Sequence, residues 1–131
     1  MKSTTERLVS CFEGREADPN GLSQHVPGAK LDAGKLPVFS SLLVHFPRAL
    51  AEVTKVAMYG EGKYSAMGWR EVDQGIMRYS DALARHLMDE ALGRSLDPES
   101  GLRHAAHVAW NALARLELLM LSVVDDSTRS R

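Results

Sequence analysis

The feature that most constrains this fold is a helical period of apolar residues, which recurs in three segments of the chain. Within each segment apolar side chains stand three and four residues apart, as on one face of an α-helix. No alternation typical of a β-strand is sustained for more than a few residues. The sequence therefore predicts an all-α domain, with helices over residues 47–59, 73–92 and 98–123, the last starting at Pro98 or at Leu102.

Residues with known terminal preferences mark the ends of these predicted helices. Pro47 suits a first helical position and Gly60 suits an exit, so they bound the first helix. Asp73 is the candidate N-cap of the second helix, and Gly93 is its stop. The predicted buried stripes are Leu50, Val53 and Ala57 on the first helix, Ile76, Ser80, Leu83, Leu87 and Ala91 on the second, and Ala106, Ala109, Leu113, Leu116 and Met120 on the third.

The same stripes predict the organisation of the chain. Three helices of this length expose more apolar edge than one chain can cover, so we expect a homo-oligomer, either a dimer or a tetramer. The predicted domain covers residues 28–124. A loose arm over residues 1–27, with one helical turn near residues 7–12, should precede it, and a polar tail over residues 125–131 should fray.

Composition narrows the classes of partner. The 16 basic and 17 acidic residues give a formal charge of -1, which leaves no excess positive charge for a nucleic-acid polymer. The single cysteine, Cys11, excludes an internal disulfide and suits a reducing cytosol. The longest apolar run, residues 116–124, is broken by Glu117 and is shorter than a membrane span. We therefore expect a cytoplasmic domain without a membrane or nucleic-acid partner.

The third predicted helix carries the most informative polar pattern. His104, His107 and Asn111 fall within about 60° of one another around the helix, on a face flanked by alanines. Three polar groups beside small residues leave room for a ligand, although half-buried, satisfied histidines are the plainer interpretation. The spacing of three, without a following glutamate, differs from the zinc-protease motif.

The first two predicted helices add carboxylates and cations. Asp81 and Arg85 stand one turn apart, a spacing that also suits a simple ion pair. Glu52 lies at the boundary of an apolar stripe, where a solvated side chain is the default, and Lys55 follows it. His86 lies at the edge of the second helix's core face.

Two loops combine glycines with lysines, at residues 28–35 and 59–64. Glycine permits close backbone approach, lysine neutralises phosphate, and an aromatic ring can stack on a base. The first loop is not a Walker A motif, and either loop could be an ordinary surface loop. The candidate substrate-binding residues are Lys30, Asp32, Lys35, Lys55, Lys63, Tyr64, Trp69, Arg85 and Asn111.

Several strings in combination resemble one family. GAKLDAGK, YGEGKY with Trp69-Arg70, YSDALARHL and DPESGLRHAAH, within residues 28–121, are similar to the phage dATP/dGTP diphosphohydrolase N-terminal family. That family is grouped with the MazG-like and HisE-like all-α NTP pyrophosphatases, which include MazZ-type enzymes. The resemblance implies a helical bundle that uses Mg²⁺ or Mn²⁺ to hydrolyse dGTP, or dATP, to the monophosphate and pyrophosphate. It also implies action in an infected bacterial cytoplasm, where dGMP can supply 2-aminoadenine nucleotide synthesis.

The resemblance also implies roles for individual residues, with two departures from the related pattern. MazG-like enzymes pair several carboxylates on two helices, whereas Glu52 here has no carboxylate three residues away and Arg78 stands where Asp81 would have its partner. Gly68 stands where the family often has asparagine before its tryptophan. Imidazole ligands would favour Mn²⁺. The predicted metal ligands are Glu52, Asp81, Asp97 and His104, and the predicted catalytic residues are Glu52, Asp81, His86 and His107.

Two other functions stay open at this level. One is a phosphohydrolase with a helical His/Asp metal site, which releases phosphate or intact triphosphate. The other is a helical module that binds a nucleotide without hydrolysing it.

Overall fold

The computed structural model describes residues 16–129, so the helical turn predicted at residues 7–12 lies outside the described residues. The described residues form helices and no β-strand, with one isolated bridge between Leu96 and Arg103. The prediction of an all-α fold is therefore confirmed. The helices are α1 (Pro47–Lys63), α2 (Gly75–Ala91) and α3 (His104–Arg129), with a π-helical turn at Phe39–Leu43 and a 3₁₀ turn at Gly68–Glu71.

The chain divides into two compact units. The described part of the first unit comprises residues 16–45 and 127–129, and the second comprises residues 46–126. In the first unit the buried Asp18 carboxylate accepts backbone N–H groups from Asn20 at 2.7 Å and from Lys30 at 2.8 Å. The hydrogen bond from Lys30 is the main reason that the pKa of Asp18 lies below its ordinary value. One carboxylate thus ties together the two ends of the 18–30 segment.

Two predicted helix ends differ from the structure. Gly60 does not end α1, because its carbonyl accepts the N–H four residues later at 2.9 Å and the helix continues to Lys63. Glycine costs a helix about 1 kcal/mol but leaves the backbone hydrogen bond intact, so neighbouring contacts can override it. Asp73 does not cap α2, since the N-cap is Gln74 in the left-handed region (φ 53°) and the helix begins at Gly75.

The C-terminal end of α2 follows the prediction. Gly93 has φ 84° and donates its N–H to the carbonyl of Glu90 at 3.0 Å, while Arg94 donates to Asp89 at 3.0 Å. This pattern needs a left-handed residue after the helix, which glycine adopts without a steric cost. Beyond it, α3 begins at His104 rather than at Pro98 or Leu102, and it continues to Arg129, past the predicted end at Val123.

An aromatic cluster holds the 3₁₀ turn against α2 and α3. The ring centroid of Trp110 lies 5.9 Å from that of Trp69 and 5.6 Å from that of Tyr79, with both pairs edge to face. Tyr79 donates its hydroxyl proton to the Trp69 carbonyl at 2.7 Å. Burial raises the pKa of the Tyr79 hydroxyl, so this donor keeps its proton. The cluster therefore fixes the positions of all three elements.

The interior of the second unit is polar as well as apolar. The buried apolar residues among those described are Val56, Ala106 and Ala114, and the buried polar residues of this unit are His104, His107 and Asn111. By contrast Leu113 and Leu116, which the stripe on α3 predicted to be core, are each 54% exposed. Within one chain, α3 thus packs its histidine face inward and leaves its leucine face outward.

Helix α3 is long and apolar enough, by length and composition, to cross a membrane. Core helices of soluble proteins meet the same criterion, so the expectation of no membrane partner stays a prediction.

Candidate active site

Three histidines from α2 and α3 meet in the second unit. His104 and His107 stand at i and i+3 in the first turn of α3, so both face the same neighbour. That neighbour is His86 on α2, whose Nδ1 lies 2.8 Å from the Nδ1 of His104. The His86 ring also stacks on His107, with centroids 4.4 Å apart and planes 11° apart. These three residues are called the histidine cluster below.

His104 is the most enclosed member of the histidine cluster. Its side chain is 0% exposed, and its Nε2 has no hydrogen-bond partner among the described residues. The Oδ2 atom of Asp89 stands 4.0 Å from that nitrogen. A buried polar atom without a partner costs about 1–3 kcal/mol, and native structures keep few of them. The Nε2 atom of His104 is therefore available to a further hydrogen-bond partner.

The loop between α2 and α3 adds a carboxylate and a hydroxyl. Ser100 Oγ lies 2.7 Å from His107 Nε2, and Asp97 Oδ2 lies 3.6 Å from the same nitrogen. Asp97 also accepts a hydrogen bond from the Ser100 N–H at 2.9 Å, and this bond closes a turn. Gly101 follows the turn with φ 72°. Both oxygens approach one nitrogen, whereas in a Ser-His-Asp triad they contact opposite nitrogens of the imidazole. The arrangement is therefore not a serine-nucleophile site.

The environment favours neutral imidazoles beside an ionised carboxylate. Burial lowers the pKa of His86, and the neighbouring His107 and His104 lower it further, against the opposing carboxylates of Asp97 and Asp89. Burial is also the main cause of the lowered pKa of His107. Burial opposes ionisation of Asp97, but the hydrogen bonds from Ser100, together with the nearby His107 and His86, hold the pKa of Asp97 below its ordinary value. Neutral imidazole and ionised carboxylate are the forms that bind metal ions.

Part of the histidine cluster has the donor set of a metal site. One ring nitrogen each of His86 and His104 and one oxygen of Asp97 all lie within 4.8 Å of one another. Among the described residues this is the one group of three or more His, Cys, Asp or Glu side chains so placed. It contains two of the predicted metal ligands, Asp97 and His104, and adds His86. The chemistry of these donors, together with the unpartnered nitrogen of His104, fits a divalent metal ion.

The other two predicted metal ligands stand outside this group. Glu52 on α1 accepts a hydrogen bond from Lys55 at 2.6 Å, and this bond is the main cause of the lowered pKa of Glu52. Asp81 is exposed on α2, and no ion pair among the described residues joins it to Arg85.

Lys63, the last residue of α1, is connected to the histidine cluster through other side chains. Lys63 forms an ion pair with Glu99, two residues from Asp97 in the loop before α3. The hydrogen bond with Lys63 lowers the pKa of Glu99, and the hydrogen bond with Glu99 raises the pKa of Tyr59. The Tyr59 ring stands edge to face with His107, with centroids 6.4 Å apart. Lys63 is thus linked through two side chains to the histidine cluster.

The remaining predicted site residues belong to both units. Lys30, Asp32 and Lys35 belong to the first unit. In the second unit Asn111 is buried and donates to the His107 carbonyl at 2.8 Å, which gives it a partner within its own helix. Tyr64 is 74% exposed beneath Lys63, whose Nζ lies 5.3 Å from its ring, while Trp69 is part of the aromatic cluster and Arg85 is exposed.

Four contacts of the histidine cluster were not predicted from the sequence. Asp89 stands at 4.0 Å from His104, and Tyr59, Glu99 and Ser100 surround His107. A signal existed for three of them. Glu99 and Ser100 lie inside the string DPESG, directly before the histidines. Asp89 lies three residues after His86 on one face of a helix, a spacing that also indicates proximity.

Comparison with known proteins identifies the family. Residues 25–127 match the family described as dATP/dGTP diphosphohydrolase, N-terminal, and the chain belongs to this family. A protein of Salmonella phage PMBT28 named dATP/dGTP diphosphohydrolase is 40% identical over 102 residues. The alignment covers 78% of this chain and 33% of the phage protein, so the chain spans about one third of that relative. No solved structure gives a significant match to the chain.

Proposed function

We propose that this chain carries the hydrolytic site of a metal-dependent deoxypurine triphosphate pyrophosphohydrolase, which converts dGTP, or dATP, and water to the monophosphate and pyrophosphate. The observation that carries the proposal is the group of His86, His104 and Asp97 donor atoms within 4.8 Å of one another, in a member of a family described by dATP and dGTP hydrolysis. The phage relative is named for the same two nucleotides, which supports them as the substrates proposed here. The dGMP product would be available for 2-aminoadenine nucleotide synthesis in the cytoplasm of an infected host.

The proposed reaction transfers the α-phosphoryl group to water. The water oxygen bonds to the α-phosphorus, the bond from that phosphorus to the bridging oxygen breaks, and pyrophosphate leaves. His107 is the proposed acceptor for the water proton, because burial lowers its pKa and favours the neutral ring, and its Nε2 would exchange the contact with Ser100 Oγ for the water. Lys63 exchanges its ion pair with Glu99 for a contact with a phosphate oxygen, and it neutralises part of the charge of the phosphate.

A divalent cation, when bound, neutralises the triphosphate and makes water more acidic. Asp97 and His104 are proposed as its ligands together with Glu52 and Asp81, and Mn²⁺ or Mg²⁺ as the cation. The imidazole of His104 favours Mn²⁺ of the two. Since Glu52 and Asp81 lie outside the group of three, they would join it through substrate binding or through a neighbouring copy.

We further propose that the chain works as a homo-oligomer. Monomeric proteins seldom expose a row of large apolar side chains along a helix, because burying each leucine or methionine stabilises the protein by about 1.5–3 kcal/mol. Light scattering should give a mass well above 14.4 kDa at micromolar concentration, and a stable, active monomer would contradict this. The large apolar side chains exposed on the three helices are Met58, Met77, Leu87, Met88, Leu113, Leu116, Leu119 and Val124.

The test of the reaction is product identification. The full chain is incubated with each nucleoside triphosphate and Mn²⁺ or Mg²⁺, and the products are separated by anion exchange and assigned by phosphorus NMR. Monophosphate plus pyrophosphate is the expected result, lost in Asp97→Asn and kept in the matched exposed control Asp73→Asn. Release of phosphate or of intact triphosphate would instead identify a phosphohydrolase. Saturable binding without turnover would identify a nucleotide-binding module.

A further inference from the structure

The donor atoms of the histidine cluster do not suit Mg²⁺. Mg²⁺ takes oxygen ligands and keeps several waters, whereas two of the three donors here are imidazole nitrogens of His86 and His104. Imidazole suits zinc, copper, iron and nickel, and divalent affinity at such a site rises from Mn²⁺ towards Cu²⁺. The single carboxylate of Asp97 would offset only part of the charge of a bound dication.

We propose that His86, His104 and Asp97 form a binding site for one zinc-class transition-metal ion within a single chain. The inference is an alternative to the ligand set given above for the hydrolytic cation, because it adds His86 as a ligand, leaves out Glu52 and Asp81, and changes the ion. It does not rest on the proposed hydrolysis. The three donors leave a coordination position open, as in zinc sites that bind water or a ligand oxygen.

An independent observation comes from the second nitrogen of His104. A metal-bound histidine almost always directs its other ring N–H towards a carboxylate, a carbonyl or water. The two nitrogens of His104 fit this pattern, since Nδ1 faces His86 Nδ1 at 2.8 Å while the fully buried Nε2 has no partner and lies 4.0 Å from Asp89 Oδ2. With a metal ion on Nδ1, Nε2 would carry the proton, and the Asp89 carboxylate would have to move closer than 4.0 Å to accept it.

The surrounding contacts hold the ligands before any ion binds. Stacking on His107 fixes the plane of the His86 ring, and the Ser100 N–H fixes one oxygen of Asp97 at 2.9 Å. The His104 side chain cannot turn towards solvent because it is 0% exposed. Ligands that are already ordered lose little conformational entropy on binding, which favours affinity.

The experiment uses Co²⁺ as a visible probe on the full chain, purified with a chelator and then freed of it. Titration should give cobalt absorption that saturates at one ion per chain, Zn²⁺ should abolish it, and millimolar Mg²⁺ should not. His86→Gln and Asp97→Asn should each weaken Co²⁺ binding by about tenfold or more, and the exposed control His25→Gln should not change it. Asp97→Asn keeps an oxygen for the Ser100 N–H, so it tests the charge of the ligand rather than the loop.

Three results would overturn the proposal. They are the absence of saturable cobalt absorption, displacement of the ion by Mg²⁺, and unchanged affinity in both ligand variants. If a variant loses its helical circular dichroism, histidine-ring NMR of the wild-type chain decides instead. Zn²⁺ should shift the ring signals of His86 and His104 but not those of His25, and unshifted signals would refute the site. These experiments measure metal binding and not hydrolysis, so failure of this site is detected separately from failure of the proposed reaction.

Discussion

Lowering the pH should destabilise the metal-free protein through the stacked pair His86 and His107. Their ring centroids are 4.4 Å apart, so with an effective dielectric constant of about 20, two protonated rings would repel by about 4 kcal/mol. Burial opposes protonation of both rings and lowers their pKa values. The other charged or titratable groups that face the pair are His104, which adds to this effect, and Asp89, Asp97 and Glu99, which oppose it.

The sign of the effect follows from proton counts. An unfolded histidine titrates near pH 6.5, and the folded pKa values of His86 and His107 lie lower, so the unfolded chain binds more protons below that pH. The stabilisation is therefore present above about pH 6.5 and is lost as the pH falls towards the folded pKa values. A histidine that stayed fully neutral in the folded state would lose about 1.4 kcal/mol of stabilisation between pH 7.5 and 5.5, which is the upper limit for each ring. For a domain of this size that corresponds to a fall in Tm of roughly 5 °C.

Thermal unfolding in the presence of a chelator measures this loss. Melting is followed by circular dichroism at pH 7.5, 6.5 and 5.5. Exposed carboxylates titrate at about pH 4, so they do not contribute over this range. His86→Gln removes one titrating ring and the like charge beside His107, so its Tm should depend less on pH than that of the wild type. His25→Gln, an exposed substitution outside the histidine cluster, should keep the wild-type dependence. A Tm that does not change over this range, or equal slopes in all three proteins, would refute the electrostatic argument.

Three further predictions concern single side chains. Lys63→Ala should weaken tripolyphosphate binding in calorimetry by about 10-fold or more, because a charge-assisted contact is lost, and should leave deoxyguanosine binding unchanged; equal losses would indicate a folding defect. If Asp81 is a ligand of the hydrolytic cation, Asp81→Asn should abolish turnover with an unchanged circular dichroism spectrum, whereas activity retained at saturating Mn²⁺ would exclude Asp81 and favour the ligand set His86, His104 and Asp97. Trp110→Ala should lower the free energy of unfolding in urea by about 3 kcal/mol, with most of it restored in Trp110→Phe, and a loss below about 1 kcal/mol would contradict the role of the aromatic cluster.

Local sequence signals predicted the helices better than their ends. The 3.6-residue period depends only on neighbours along the chain, and the stop at Gly93 is set by a single backbone angle, φ 84°. The end at Gly60 was wrong because a helix can pass through glycine at a modest cost when contacts such as Lys63 with Glu99 lie beyond it. Asp73 has the chemistry of a cap, but the backbone of Gln74 occupies that position.

The candidate site was only partly predictable. The shared face of His104 and His107 follows from helical geometry, and the structure brings both against α2. The central position of His86 does not follow from its own helix, because the rotation of α2 relative to α3 is set by packing between helices. Ser100 and Asp97 reach His107 through a turn, and contacts of this kind leave no periodic signal in the sequence.

Helix α3 explains why hydrophobicity alone predicted only part of the buried surface, since Ala106 of the predicted stripe is buried whereas Leu113 and Leu116 are not. Small residues, among them Ala114, accompany its histidine face and allow close approach of another helix, whereas Leu113 and Leu116 occupy the roughly opposite face and remain 54% exposed. A periodic stripe indicates that an apolar face must be covered, but it does not say by which partner. In this chain the intramolecular contacts cover the polar face, where hydrogen bonds and ring stacking compensate its burial. The leucine face stays exposed in the single chain, and it is the face that we propose to be covered by a neighbouring copy.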